Sequence, residues 1–397
     1  MLDRRTLERA RRGVMLTFVT AGFGFASFAA RTPAVKESLG LKASGLGLLL
    51  ACLAVGAMAM MPISGIVIHH VGPARAVGIG AGLHSSGFLA VGGGLLADSA
   101  PLTGLGLFVT GLGISLWDVA MNVEGAGVER ALRRTLMARF HAGFSLGTVL
   151  GALAGVISAS VGLGVAGQTI ATAALLAVLA AVGIASYTHS RPDARRGGPS
   201  SRTLVWAAWR TPRTLIVGLM VLAFAFTEGV ANDWTAVALV SGLDASDAVG
   251  ALGYGVFVTA MTLGRTFGGT VVDRWGRVAA LRGSAVTAAA GVLLVVAAPT
   301  VPIAFAGSVL WGLGAALGFP TGMSASADDP TNAAIHVSVV TSIGYSAFLA
   351  GPPLVGFLGD HFGVRDSLMV VLVALGLALL TAGWARPLTR PAVTYSR

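Results

Sequence analysis

Two acids in this chain stand in apolar surroundings, each four residues before an asparagine. Asp118 and Asn122 lie in "GLGISLWDVAMNVEG" (Gly111–Gly125), and Glu228 and Asn232 in "EGVANDW" (Glu228–Trp234). Four residues is about one helical turn, so acid and amide share a face. An acid among apolar side chains resists ionisation, which moves its proton affinity toward neutral pH. Such a group can load and release a proton, and the amide beside it can hydrogen-bond a polyol or an amide. The alternative is a structural carboxylate bonded to a neighbouring helix. Trp117, Trp234 and Trp311 offer flat faces for a sugar ring, or serve in packing and interfacial anchoring. His141, in "RFHAGF", titrates in the range a proton relay needs, and equally suits an interfacial hydrogen bonder. No spacing of His, Cys, Asp or Glu suggests a metal site, and no nucleophile–base pairing or metal cluster suggests an enzyme. The Gly pairs follow no strand, so they are not phosphate loops. The chemistry to expect is proton and solute binding without a cofactor.

The elements that carry these residues are set by composition. The chain has 397 residues, 55% hydrophobic and only 11% charged, with a mean hydropathy of +0.80. A soluble domain carries about a quarter charged residues. This chain lacks the charge to cover a water-facing surface, and a bilayer removes that need. The net charge of +10 would suggest nucleic acid in a soluble protein. Here the cations lie in short loops between apolar runs, which is the pattern of a membrane protein and not of a nucleic-acid binder. The single cysteine, Cys52, excludes an internal disulfide. The basic start "MLDRRTLERARRG" leads into an apolar run longer than a signal peptide's, so a first transmembrane helix is expected.

Runs long enough to span the hydrocarbon occur near 14–35, 44–66, 76–97, 102–126, 138–160, 166–188, 214–238, 247–271, 279–298, 302–323, 335–357 and 367–386. With the N-terminus cytoplasmic, only Arg31, Lys36, Lys42 and Arg365 fall outside, and Arg265 falls within a span, among 27 Lys and Arg in all. That bias predicts both termini inside. The polar stretch from Thr188 to Arg213 suits a cytoplasmic linker. The expected organisation is a bundle over 1–190, a linker over 191–213 and a second bundle over 214–397.

The halves repeat. "GLKAS" (Gly40–Ser44) matches "GLDAS" (Gly242–Ser246), "GLGISL" (Gly111–Leu116) matches "GLGAAL" (Gly312–Leu317), and "GIVIHHVGPAR" (Gly65–Arg75) matches "GTVVDRWGRVA" (Gly269–Ala279). The offsets are 202, 201 and 204. Three matches in order at nearly one offset argue for a duplicated six-helix unit. By this register Asp118 corresponds to Phe319, so the fold itself does not require an acid there.

In "GGTVVDRWGR", the residues Gly269, Asp273, Arg274, Gly276 and Arg277 resemble the loop motif of the major facilitator superfamily. Span count, duplication and central basic loop agree with that resemblance. "FAARTPAVKESLGL" (Phe28–Leu41), "DVAMN" (Asp118–Asn122), "ARFHAGFSLG" (Ala138–Gly147), "EGVANDW" and "GPPLVGFLGD" (Gly351–Asp360) are further similar to its bacterial MosC-like branch, distantly similar to fucose permeases. The resemblance implies an all-α membrane protein with the major facilitator fold: twelve transmembrane helices in two six-helix bundles related by pseudo-two-fold symmetry. It implies a central cavity lined by the first, fourth, seventh and tenth helices, and an Asp273 that holds helix ends together when the cytoplasmic side is closed. In the first half His69 and His70 replace the motif's acid and Arg.

Charges at matching positions suggest gates. Arg31 and Asp233 correspond by the 202 offset and lie at similar heights near the outer rim, so they are expected to pair across the halves. The loop carrying Arg133 and Arg134 matches one carrying Asp328 and Asp329, and these are expected to pair at the inner side. The reading that follows is a secondary transporter of the bacterial inner membrane, proton-coupled, for a sugar or sugar derivative. The runner-up is a proton-driven exporter of amphipathic compounds. The expected partners are the solute, protons and the lipid bilayer, not nucleic acid, and the unit is expected to be a monomer.

Overall fold

In hydrocarbon a backbone amide has no water to bond, so each apolar run closes into a helix that satisfies its own amides and carbonyls. The computed structural model of the chain describes residues 4–132, 136–188, 206–328 and 333–388. Among the described residues every regular element is helical, and eleven helices are long and apolar enough to cross a membrane. One of them, Asp247–Ala297, has 51 residues. It would reach about 76 Å, over twice the roughly 30 Å of hydrocarbon. It is broken at Gly276, with φ 77 and ψ 161, and so crosses twice. Twelve crossings result, in a multi-pass membrane protein.

The first half holds the first to sixth spans: Arg4–Ala29, Ala43–Val71, Pro73–Leu96, Ala100–Leu132, Met137–Ser160 and Val165–Ile184. A short helix, Thr32–Ser38, follows the first. In the second half Pro212–Leu243 is the seventh span, and the two arms of Asp247–Ala297 are the eighth and ninth. The tenth is split into Val301–Ala315 and Gly318–Ser326. Pro320 explains the split, since it has no N–H to donate to the carbonyl of Ala316. The eleventh is Ala333–Phe362, and the twelfth runs over Val364–Ala385 with breaks. Several helices outrun their apolar cores. The first begins at Arg4 and the fourth ends at Leu132, because backbone bonding continues where hydropathy has already fallen.

The repeat is visible in the turns. Gly72, between the second and third spans, has φ 81 and ψ 159, nearly the conformation of Gly276. Both values are left-handed, where only glycine is unstrained. Packing repeats as well. The first span lies on the fifth and sixth, as the seventh lies on the eleventh and twelfth. The third lies on the fourth, as the ninth lies on the tenth. The halves meet where the second span packs on the eleventh and the fifth on the eighth.

The end of the bundle that carries Arg4, Pro212 and Ala385 is called proximal below, and the opposite end distal. Contacts between halves collect at the distal end. A Cβ on Gly47 would collide with the carbonyl of Pro352, and one on Gly356 with the carbonyl of Ala43. Within the first half, Gly147 and Gly151 of the fifth span lie against the backbone at Val19 and Phe23 of the first. Glycine permits that approach, which gains dispersion contact where lipid offers no hydrophobic drive. Gly147→Ala should therefore lower the detergent melting temperature, at a cost of about 1–3 kcal/mol. Gly93→Ala should not, since its Cβ would meet open space. Equal shifts for the two would defeat the packing account.

Candidate functional site

A cavity of about 370 Å³ lies between the halves. Asp118, Glu228 and Asp233 all line it, with Asn232, His84 and Trp117. The helical register delivers them: Trp117 and Asp118 from the fourth span, His84 from the third, and Glu228, Asn232 and Asp233 from the seventh. Its walls come from the first to fifth, seventh and eleventh spans. The tenth supplies no lining residue, contrary to what the resemblance implied. Phe319, at the position matching Asp118, stacks on Tyr345 with ring centroids 5.9 Å apart, and it is Tyr345 that faces the cavity.

The three acids are answered differently. Glu228 pairs with Arg265 of the eighth span, Nη2 to Oε2 2.6 Å. Sequence reading left Arg265 without a role, because the partners are 37 residues apart in different helices. Asp118 opens onto the cavity and meets no cation among the described residues. Its Oδ1 accepts from the amide of Asn122 at 3.2 Å, and that amide also donates to the Asp118 carbonyl at 2.9 Å. The acid–amide pair is therefore local, and Asn122 itself is outside the cavity lining. On the seventh span Asn232 does line it, with its Oδ1 buried and unpartnered.

Several expected residues stand elsewhere. Trp234 and Trp311 are fully buried and do not line the cavity. Trp311 packs edge-on against Phe257 at 5.9 Å. Stacking on a solute is corrected for both: helix-on-helix packing covers their faces. Trp117 alone of the three reaches the cavity. His141 is off the lining too, lying edge-on to Phe18 at 5.3 Å. His84, in "GLHSSGF", has no acid near it in sequence that would point to proton transfer. It is 1% exposed, both ring nitrogens lack partners, and it packs against Phe88 and Trp117.

The expected distal pair is corrected. Arg31 and Asp233 do not meet, although the distal ends are in contact. Arg31 follows the last turn of its helix, so its side chain leaves sideways and donates from Nη2 to the Leu163 carbonyl at 3.2 Å. Asp233 faces inward to the cavity, and only its backbone carbonyl is used across the halves, accepting from Thr32 at 3.4 Å. A different acid bridges there. Asp360, ending the eleventh span, accepts from the backbone N–H of Ser44 at 3.2 Å. The second span has no side-chain cap of its own, so the opposite half supplies one.

The proximal expectation is corrected as well. Asp328 pairs within its own half, accepting from Arg277 at 2.8 and 2.9 Å and from Arg213 at 2.8 Å. Arg213 also donates to the carbonyls of Trp384 and Arg386. Arg133, Arg134 and Asp329 lie outside the described residues. Asp273 and Arg274 are exposed, with no partner among the described residues. In the first half Glu129 instead caps the fifth span, accepting from Leu136 N at 2.6 Å and Met137 N at 2.8 Å. Glu124 is buried and binds Thr188 through N and Oγ1.

The Major Facilitator Superfamily profile matches residues 14–352. An uncharacterized MFS-type transporter of Yersinia pestis is 33% identical, over 94% of each chain. Membrane protein MosC of Rhizobium meliloti is 27% identical, over 93% of this chain and 88% of its own. Among solved structures, a variant of the nucleoside transporter NupG superposes with a TM-score of 0.78 at 14% identity, covering 96% of this chain and 98% of that one. The Escherichia coli fucose:proton symporter FucP superposes at 0.61 and 13% identity, covering 94% and 98%. The chain belongs to the major facilitator superfamily.

Two outcomes follow from the ends of the bundle. Burial alone would raise the Asp328 carboxyl, but the hydrogen bonds and charges of Arg213 and Arg277 outweigh it and hold it below the ordinary value. A depressed folded value means stability that is present above the unfolded value, about 3.9, and lost as pH falls through the folded one. Asp328→Asn should cost roughly 1–3 kcal/mol at neutral pH. The gap from wild type should close in melting scans below about pH 4. A gap that does not change with pH would refute the clamp. At the distal end, Asp360→Ala removes a cap worth about 1 kcal/mol, a several-fold shift in population. Spin labels on exposed Glu37 and Ser241 should move apart in that variant; an unchanged distance distribution would show that Asp360 latches nothing.

Proposed function

We propose that this member of the major facilitator superfamily is a proton-coupled secondary transporter that moves a small polar solute through the central cavity by alternating access. The observation that carries the reading is Asp118, a carboxylate that opens onto that cavity with no cation to meet it. Asp118 is exposed to the cavity and not to lipid, a place where a titrating acid can take up and release a proton. Glu228 is already neutralised by Arg265, which leaves Asp118 the better carrier. Lining residues with unpartnered polar atoms, His84, Trp117 and Asn232, would suit the hydroxyls of a sugar-like solute once side chains adjust to it.

The bias of Arg toward the proximal end supports a cytoplasmic placement of that end, in a bacterial inner membrane. Contact between the halves at the distal end then corresponds to an inward-facing state. The expected symport of a sugar derivative fits best. The second reading, export of amphipathic compounds, is favoured by the apolar part of the lining, including Phe25, Met58 and Met61. One monomer in lipid contains the whole cavity and is the proposed working unit.

Asp118→Asn keeps size and removes titration. In proteoliposomes with a pH gradient it should lose solute accumulation at least about tenfold while keeping counterflow exchange. Glu228→Gln should instead impair both, because it strips Arg265 of its partner. Accumulation by Asp118→Asn at the wild-type level would remove Asp118 from the coupling.

A further inference from the structure

Asp233 is the acid the coupling does not use. It lines the cavity together with Asp118 and Glu228, and no Lys or Arg lines that cavity among the described residues. Arg265 balances Glu228, so two carboxylates face the space without a cation. Asn122 partly satisfies Asp118, whereas no donor among the described residues reaches the Asp233 side chain. Two uncompensated acids facing one largely apolar cavity cannot both be ionised cheaply. Each is best met by a proton, a cation or water. Asn232, beside Asp233, also lines the cavity, and its Oδ1 is buried without a partner among the described residues. Trp117 and Ser115 of the fourth span line the cavity too, both over nine-tenths buried, with an indole N–H and a hydroxyl that have no partner among the described residues. Aromatic faces at Phe25, Phe28 and Tyr345 complete the wall, and such faces attract cations.

From this we infer that the cavity selects a positively charged solute, an ammonium on a small body, with Asp233 and Asn232 as its contacts. The inference rests on the transport reading and names the class of its solute. Binding is an exchange at Asp233: the ammonium enters charged, the Asp233 proton leaves to solution, and the cavity's net charge is unchanged. Asp118 keeps the coupling proton. The N–H and hydroxyl wall of the fourth span then receives acceptors on the solute body.

Purified full-length protein in detergent provides the test, with matched pairs of probes: glucosamine against glucose, and benzylamine against benzyl alcohol. The readouts are thermal stabilisation and protection of Asp233 from carbodiimide, scored by peptide mass. At least one amine should bind about tenfold or more tightly than its neutral partner, since hydrogen bonds to charged groups are worth over 1.5 kcal/mol. Asp233→Asn should erase that preference, and Asp233→Glu should keep it. Amine and neutral partner behaving alike in both pairs would overturn the inference, as would a preference that survives Asp233→Asn. The transport reading fails separately. Amine selectivity in a protein with no proton-driven accumulation defeats coupling alone, and proton-driven uptake blind to charge defeats this inference alone.

Discussion

A carboxylate inside a helical bundle in a bilayer must be met by a cation, a proton or trapped water. That constraint orders the centre of this protein. Glu228 is met by Arg265 at 2.6 Å. Among the described residues Asp118 has an amide but no cation, and the Asp233 side chain has neither. The three sit around one cavity, so their states are coupled through its low dielectric. Ionising one raises the cost of ionising the next. An empty cavity therefore favours protons. A cationic solute can displace the one on Asp233, while Asp118 keeps the proton that crosses with the solute.

The surrounding fold is a duplicated scaffold that has lost symmetry where it works. Gly72 and Gly276 adopt nearly one conformation, and helix neighbours repeat between the halves. The side chains do not. Arg277 grips Asp328 in the second half, while His69 and His70 occupy the matching loop of the first, where Glu129 caps a helix instead. Asp118 faces the cavity, and its counterpart Phe319 packs behind Tyr345. Backbone geometry is constrained by packing and is kept in both copies. Charge is costly in a bilayer, and its placement differs between the copies.

Much of this was legible in the chain. Spans follow from hydropathy, and the break at Gly276 follows from a polar loop between two apolar runs. Asp118 and Glu228 were found because an acid in hydrocarbon is conspicuous. What failed was anything set by rotation or by a distant partner. Arg265 lies in another helix from Glu228, and no local pattern joins them. Arg31 and Asp233 match in register and height, yet one points to Leu163 and the other to the cavity. Matching height does not fix direction. Trp311 and Trp234 read like Trp117 in sequence, and only packing separates the one that faces the cavity from the two that fill the core. His84 carried no signal, since a lone His in an apolar run is most often packing.

The central claim is that Asp118 carries a proton in the resting cavity. Infrared difference spectroscopy of the reconstituted protein, stepped across neutral pH without solute, reads this directly. A protonated carboxyl absorbs apart from a carboxylate and from the amide bands. The account predicts carboxylic acid absorption that falls as pH rises, with one component lost in Asp118→Asn and kept in Glu228→Gln, while any Asp233 component remains in both. A band unchanged in Asp118→Asn would contradict it.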